Sequence, residues 1–506
     1  MKNKIIALIF VIVTLFAVSS CELDVAPTDA ISTASLLNTS DGLLNVTNGS
    51  YALLKDNISF GGFVDQNNNY LRQYFQMSDF ASDDIVCAQV TEDPLFYSFT
   101  LTHSPDQANS RFFWYISYKI ISSTNTVLEL TTNTTNDDAA TKQLVGENYF
   151  LRAFSHFNLL RFYAKPYSID PNAPGIILRE STSESASKAR SSVKDCYNFV
   201  ISDLKKAASL MGTSRGPQYA SKAAAWALLS RVYLYMEDNT STVAYADSVI
   251  GSGNYQLATA DAFKSYFPNA ATSPETIFLV AFTTSDNKGK FGSIASMIYS
   301  DGNSGWGEEF ASQSLRNLMA EHTEDVRWNY IDTLSDGNGG VVTKNGIETF
   351  YIKKFSGQGG DPNLSSPVML RLAEMYLNRA EANAKAGNDK AALDDVDLIR
   401  TNRGLENALY SGELPAGSTA LDVVLKERRL ELAFEGHRAL DVYRNKRIMN
   451  RSYWGYHLPG LVATDIDLTK TPSGYDKMLI DYTNPRIIYY IPVDEILANP
   501  LCKQND

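Results

Sequence analysis

Asp79, Asp83 and Asp84 form a local acidic group of the kind that could hold a cation or trade protons with a substrate. The group lacks the glycine and the alternating-ligand spacing of a calcium loop, so a solvated or capping role is expected. Five histidines, His103, His156, His322, His437 and His457, show neither H-x3-H nor H-E-x2-H spacing, which argues against a helix-borne zinc site. Phosphate-cradling and nucleophile-elbow motifs are absent, so neither a cofactor nor a catalytic centre is expected. Binding is the better-supported chemistry, because aromatic rings stand beside amides and charges. Tyr70, Arg72, Tyr74 and Phe75 follow Asn67, Asn68 and Asn69; Trp306 follows Asn303; Trp328 precedes Asn329 and Tyr330; and Tyr453, Trp454 and Tyr456 cluster near the end. A sugar lays its apolar face of axial hydrogens on such a ring, while Asn, Asp and Arg bond its hydroxyls. Tyr70, Arg72, Tyr74, Trp306, Trp328 and Trp454 are therefore the candidate ligand-binding residues. With 28 tyrosines and 24 phenylalanines in the chain, most rings must nonetheless be core.

Cys21 is the other residue with chemistry to offer. Lys2 and Lys4, an apolar run from Ile5 to Val18, and Val18-Ser19-Ser20 before the cysteine describe an export signal over 1–20. That run is too short to span a bilayer. The pattern is that of a bacterial lipobox, in which the Cys21 thiol is acylated and tethers the mature chain to a membrane. A net charge of −12 argues against a nucleic-acid partner and against adhesion to anionic lipid, so the acyl chains would have to supply the attachment. Cys87, Cys196 and Cys502 show no metal-type spacing and leave room for one disulfide at most.

The elements that must position these residues read as helices separated by long irregular stretches. A tether over 21–40 leads to helical periods at 41–55, 112–130, 141–163, 192–211, 221–236, 242–250, 367–386, 389–402 and 420–444. The excursions 56–110 and 252–366 and the segment 445–506 are rich in Gly, Asn, Ser, Pro and aromatics, and loops on a rigid scaffold are where recognition usually sits. Two helices share letters: Glu147-x-Tyr149-x-x-Arg152-Ala153 returns as Glu374-x-Tyr376-x-x-Arg379-Ala380. Trp226-x-x-Leu229-Ser230-x-x-Tyr233 fits the first helix of a tetratricopeptide repeat with Ser in place of Gly. Residues 41–506 are thus expected to be one mainly α domain, a degenerate helix-turn-helix scaffold carrying loop excursions and short strands.

The stretch from Val424 to Arg444, with Glu427-Arg428-Arg429-Leu430-Glu431 and Glu435-Gly436-His437-Arg438 at its centre, resembles the C-terminal signature of the SusD/RagB family of Bacteroidetes outer-membrane lipoproteins. The resemblance extends to Cys21-x-x-Asp24-x-x-Pro27, Trp114-x3-Tyr118-x6-Asn125, Ala164-Lys165-Pro166-Tyr167 and the closing Ile491-Pro492-x-Asp494-Glu495. It implies a SusD-like fold and a surface-exposed protein that captures glycan oligosaccharides. It further implies delivery to a SusC-type TonB-dependent transporter, over which the protein acts as a lid without catalysis. Peptide capture is the alternative within the family, and a lipid-anchored glycoside hydrolase is the alternative of another class. By themselves the charges at 427–441 read as an internal ion-pair network, with Arg428 to Glu431 and Arg438 to Asp441 spaced to pair along one helix.

Overall fold

Polar residues at the starts of apolar-periodic runs set where the helices begin. The computed structural model describes residues 41–506 except 63, 66–67, 88–95, 133–137, 213, 345–346 and 452–478. Its longer helices are α1 Gly42–Ala52, α2 Tyr70–Asp79, α3 Ala108–Thr132, α4 Ala139–Tyr163, α5 Val193–Leu210, α6 Lys222–Met236 and α7 Asn239–Ile250. They continue with α8 Gln313–Met319, α9 Leu372–Lys385, α10 Asp389–Thr401, α11 Ala420–Glu431 and α12 Arg438–Arg444. Ser192, Ser221 and Asp238 each accept a backbone N–H of the first turn, and Thr419 forms a reciprocal capping box with Asp422. Short strands fill the excursions: β1 Ile85–Cys87, β2 Thr276–Leu279, β3 Glu309–Ala311, β4 Ile331–Thr333, β5 Thr343–Lys344, β6 Ile347–Glu348, β7 Phe350–Ile352, β8 Val368–Arg371, β9 Met449–Asn450 and β10 Leu479–Ile480. Among the described residues these pair two by two and antiparallel, β1 with β3, β2 with β8, β4 with β7, β5 with β6 and β9 with β10.

The repeated letters do the same work twice. α4 packs on α5, and Arg152 crosses to Asp203 with both nitrogens of its fork at 2.7 and 2.8 Å. α9 packs on α10, and Arg379 crosses to Asp395 at 2.9 and 2.7 Å. The motif glutamates take arginines from elsewhere, Glu147 from Arg215 at 2.7 Å and Glu374 from Arg231 at 2.6 Å. α6 and α7 form a third hairpin, where buried Ser230 donates to the carbonyl of Thr242 at 3.2 Å. A hydroxymethyl is small enough for that close approach.

The signature is two helices rather than one. α11 stops at Glu431, and the chain turns through Phe434 and Gly436, both at positive φ, before α12 starts at Arg438. The expected pairings are also corrected: 428 with 431 share α11 and 438 with 441 share α12, but each group is taken by a partner from another element. Arg428 instead bonds Asp441 at 3.0 Å and Asn378 at 2.8 Å. Glu431 sits in a cage of Arg371 at 2.6 Å, Arg403 at 2.7 Å and Arg327 at 3.4 Å, all buried. The three guanidinium groups outweigh burial and hold the Glu431 carboxyl well below the usual carboxylate range. The network itself is present as expected, and it joins α9, α10, α11, α12 and β8.

The acidic group corrects a second expectation. Asp79, Asp83 and Asp84 are buried, not solvated. Arg438 grips Asp83 at 2.6 and 2.9 Å, Arg429 bonds Asp84 at 2.7 Å, and Asp79 accepts the backbone N–H of Gly436 at 3.0 Å. Three carboxylates that could have made a cation site are committed to the signature.

Candidate ligand-binding site

The structure divides the six sequence candidates sharply. Tyr70, Arg72 and Tyr74 lie on α2, an amphipathic helix inside the expected 56–110 excursion, and all three are buried. The Tyr70 hydroxyl accepts from Asn158 at 2.9 Å, and its ring packs at 4.8 Å from Phe113. The Tyr74 hydroxyl accepts from Arg161 at 2.9 Å, and its ring lies against Gly436. Their ring faces are covered by protein, which corrects their placement as ligand platforms. Tyr70, Leu71, Tyr74, Phe75 and Met77 recur at helical spacing behind the N-cap Asn69, and that spacing is the signal for burial. Trp328 is half-buried, packs against the core and spends its indole N–H on the carbonyl of Met319 at 3.2 Å. Trp454 and Cys21 lie outside the described residues.

Trp306 is different. It is 45% exposed and stands edge-on to Phe291, also 45% exposed, with ring centroids 5.2 Å apart at 80°. Two large rings held open to solvent cost hydration free energy that folding does not recover. The loops that present them are tightly built. Asp301 accepts the backbone N–H groups of Asn303 at 2.9 Å and Ser304 at 2.6 Å, and Trp306 N–H donates to the carbonyl of Ser296 at 2.7 Å. These donors hold the Asp301 carboxyl below its ordinary pKa, so it stays ionised. Gly305 adopts φ +75°, and a Cβ there would fall 2.0 Å from the carbonyl oxygen of Tyr299, so no other residue fits. Arg72 is a support rather than a contact: its guanidinium donates to the carbonyl of Phe291 from beneath. Lys290 donates to the carbonyl of Asn303 at 3.4 Å and ties the Phe291 loop to the Trp306 loop.

Through Tyr299 and Asp301 the same loop walls a cleft of about 310 Å³. Lys264, Asn329, Lys353 and Ser356 face it from the other sides, so donors and acceptors converge beside a phenol ring. Burial, then Asp301 and Asp332, push the Tyr299 hydroxyl above its ordinary pKa, which keeps it a neutral donor and acceptor. Asp301 is the sole carboxylate among the described residues that line the cleft. A second aromatic pair, half-buried Phe60 and exposed Tyr115 at 5.2 Å, lies where the 56–70 segment meets α3. Lys55, which precedes that segment, bonds Asp286 at 2.8 Å, so the two aromatic loops share an anchor. Phe291, Tyr299 and Asp301 are absent from the sequence candidates; the bracketing of Phe291 by Gly289 and Gly292 marks an exposed turn and could have revealed it.

Positions that carry the resemblance outside the signature meet in space: Trp114 donates to Glu495 at 3.3 Å, beside an ion pair of Arg111 with Asp494 at 2.6 Å. Comparison with known proteins agrees. Residues 39–234 match a family described as "Starch-binding associating with outer membrane", and residues 232–506 match the SusD family. The chain is 24% identical over 492 residues to SusD-like protein P38 of Formosa agariphila, covering 88% of this chain and 92% of that one. A SusD superfamily protein of Bacteroides thetaiotaomicron superposes with a TM-score of 0.80 at 28% identity, covering 92% of this chain and 99% of the other. A putative sugar binding protein of Bacteroides vulgatus superposes with a TM-score of 0.76 at 25% identity, covering 92% and 98%. With its helical hairpins, its paired short strands and a match that spans more than half of its length, this chain belongs to the SusD family.

Proposed function

We propose that this protein is a lipid-anchored, outward-facing receptor of the outer membrane that captures glycan oligosaccharides and delivers them to a SusC-type TonB-dependent transporter, closing over it as a lid. The observation that carries the reading is the exposed Trp306–Phe291 pair beside a polar cleft. In this reading the indole takes the apolar face of a pyranose, and the cleft walled by the same loop offers Asp301, Asn329 and Lys353 as an ionised acceptor, an amide and a cation for sugar hydroxyls. Glycoside hydrolysis uses two carboxyl groups about 5–10 Å apart; among the described residues Asp301 alone lines the cleft, and Asp332 beside it is paired with Lys353 at 3.2 Å, which supports binding without bond cleavage. The description of the matched family and the name of the Bacteroides vulgatus neighbour support a sugar as the ligand class. Anchoring through Cys21 and partnership with a transporter rest on the lipobox and on family membership.

The test uses the full chain purified in mild detergent. It is expected to bind members of a glycan array and none of a matched peptide array, to release no reducing ends, and to co-purify with a large barrel protein from native membranes. Selective peptide binding, or hydrolysis abolished by Asp301→Asn, would overturn the reading.

A further inference from the structure

A second cleft, of about 570 Å³, opens between α11 and α12, and its wall includes no residue of the aromatic loops. Five cations face it, Lys426, Arg428, Arg429, Arg438 and Arg447, against two carboxylates, Asp422 and Asp441. The acids that balance these cations stand mainly behind the wall. Arg429 reaches back to Asp84 with Nε at 2.7 Å and to Ser314 with Nη2 at 3.1 Å, and Arg438 reaches back to Asp83 with Nε and Nη2. Among the described residues, no acceptor bonds the Nη1 group of either arginine. Arg428 is spent on Asp441 and Asn378. At the mouth, Lys426 and Arg447 are partly exposed and held only by Glu321 and Asp422, surface pairs that a ligand can outcompete.

His437 lines the same cleft at 4% exposure, and its Nδ1 is enclosed with no partner. Among the described residues neither ring nitrogen makes a hydrogen bond. Burial, then Arg231, Arg428, Arg161 and Arg371, hold its pKa well below the ordinary value, so the ring is neutral at pH 7 and keeps a donor to offer. An enclosed polar ring without a partner is a cost that a bound group can relieve.

We propose that this cleft is an oxyanion site, receiving a sulfate or carboxylate group between the open edges of Arg429 and Arg438, with the His437 ring as a further donor and Lys426 and Arg447 at the entrance. Planar guanidinium groups already oriented by Asp83 and Asp84 lose little freedom on meeting a planar or tetrahedral oxyanion. The ligand class is thus a small anion or an anionic sugar, bound at a position separate from the aromatic platform.

The experiment is calorimetric titration of the detergent-solubilised full chain with sodium sulfate, sodium glucuronate and glucose at constant ionic strength. Saturable binding of an anion but not of glucose is expected, weakened about tenfold in Lys426→Gln/Arg447→Gln, whose circular dichroism should match the parent. Sulfate alone or glucuronate alone would each uphold the site and assign its head group. In parallel, the His437 Cε1–H resonance, identified by its loss in His437→Gln, should shift with the same midpoint; should that variant fail to fold, the double variant still decides. Absence of saturable anion binding, equal binding by the double variant, or a response reproduced by sodium chloride would overturn the proposal.

Discussion

At the scale of single residues, two tryptophans with similar neighbours in sequence have opposite roles. Trp306 follows a glycine that no side chain could replace and holds its ring in solvent, whereas Trp328 packs on the core and donates inward. Trp306→Ala is expected to weaken oligosaccharide binding by about tenfold or more while shifting the thermal midpoint little, because the ring is 45% exposed and its ring contact is the equally exposed Phe291. Trp328→Ala should do the reverse, lowering stability by about 3 kcal/mol with affinity retained. Titration calorimetry beside thermal unfolding separates the two, and a matched loss of affinity in both variants would refute the distinction. The candidate site is only partly legible in the sequence for a physical reason. Composition identifies an aromatic beside an amide, but exposure depends on loops whose backbone geometry carries no period. Trp306 is within reach of such a reading, and Phe291 is so through its flanking glycines; Tyr299 and Asp301 are not.

At the scale of elements, periodicity carries the scaffold well. The helices α3 to α7 and α9 to α11 are readable because long amphipathic or Ala-rich runs follow capping residues. α2 escapes because three of its five apolar positions, Tyr70, Tyr74 and Phe75, are aromatic and interleave with Arg72, Gln73 and Gln76, which together read as a polar loop although all are buried. The break between α11 and α12 escapes because continuous charge patterning hides Gly436. That glycine sits at φ +78°, and a Cβ would meet Tyr74 Cε1 at 2.8 Å and Ser78 Oγ at 3.1 Å. Gly436→Ala should therefore cost about 2–4 kcal/mol, more than Gly417→Ala, which also has positive φ but open space around it and should cost about 1 kcal/mol. Equal denaturation midpoints for the two variants would show that the contact with α2 is immaterial.

At the scale of the whole molecule, charge is kept inside and must stay balanced. Burial pushes the imidazoles of His103 and His156 down to about 4 and about 3. Below pH ~6.5 the unfolded chain then binds more protons than the folded one, and stability falls with pH. The carboxyls of Glu381 and Asp83, held at about 2 against burial by Arg444, Lys385 and Arg428 and by Arg438 and Arg429, withdraw their stabilisation as pH drops from 4.5 toward 2. Asp79, Asp84, Glu147, Asp203 and Asp395, raised by burial, act in the opposite sense but are outnumbered by the depressed carboxyls of Glu381, Asp83, Glu431, Glu435 and Asp441 together with Asp286, Asp301, Asp422 and Asp494. The unfolding temperature should decline steadily from pH 7 to pH 3; a flat profile would mean that these groups are paired in the unfolded state as well. The clasp between Asp83 and Arg438 closes a separation of 355 residues. A nascent polypeptide leaves the ribosome with its early acids long before the arginines that neutralise them exist. Its first half therefore emerges with these acids unneutralised, and on the proposed export route it would cross the inner membrane before the clasp can close.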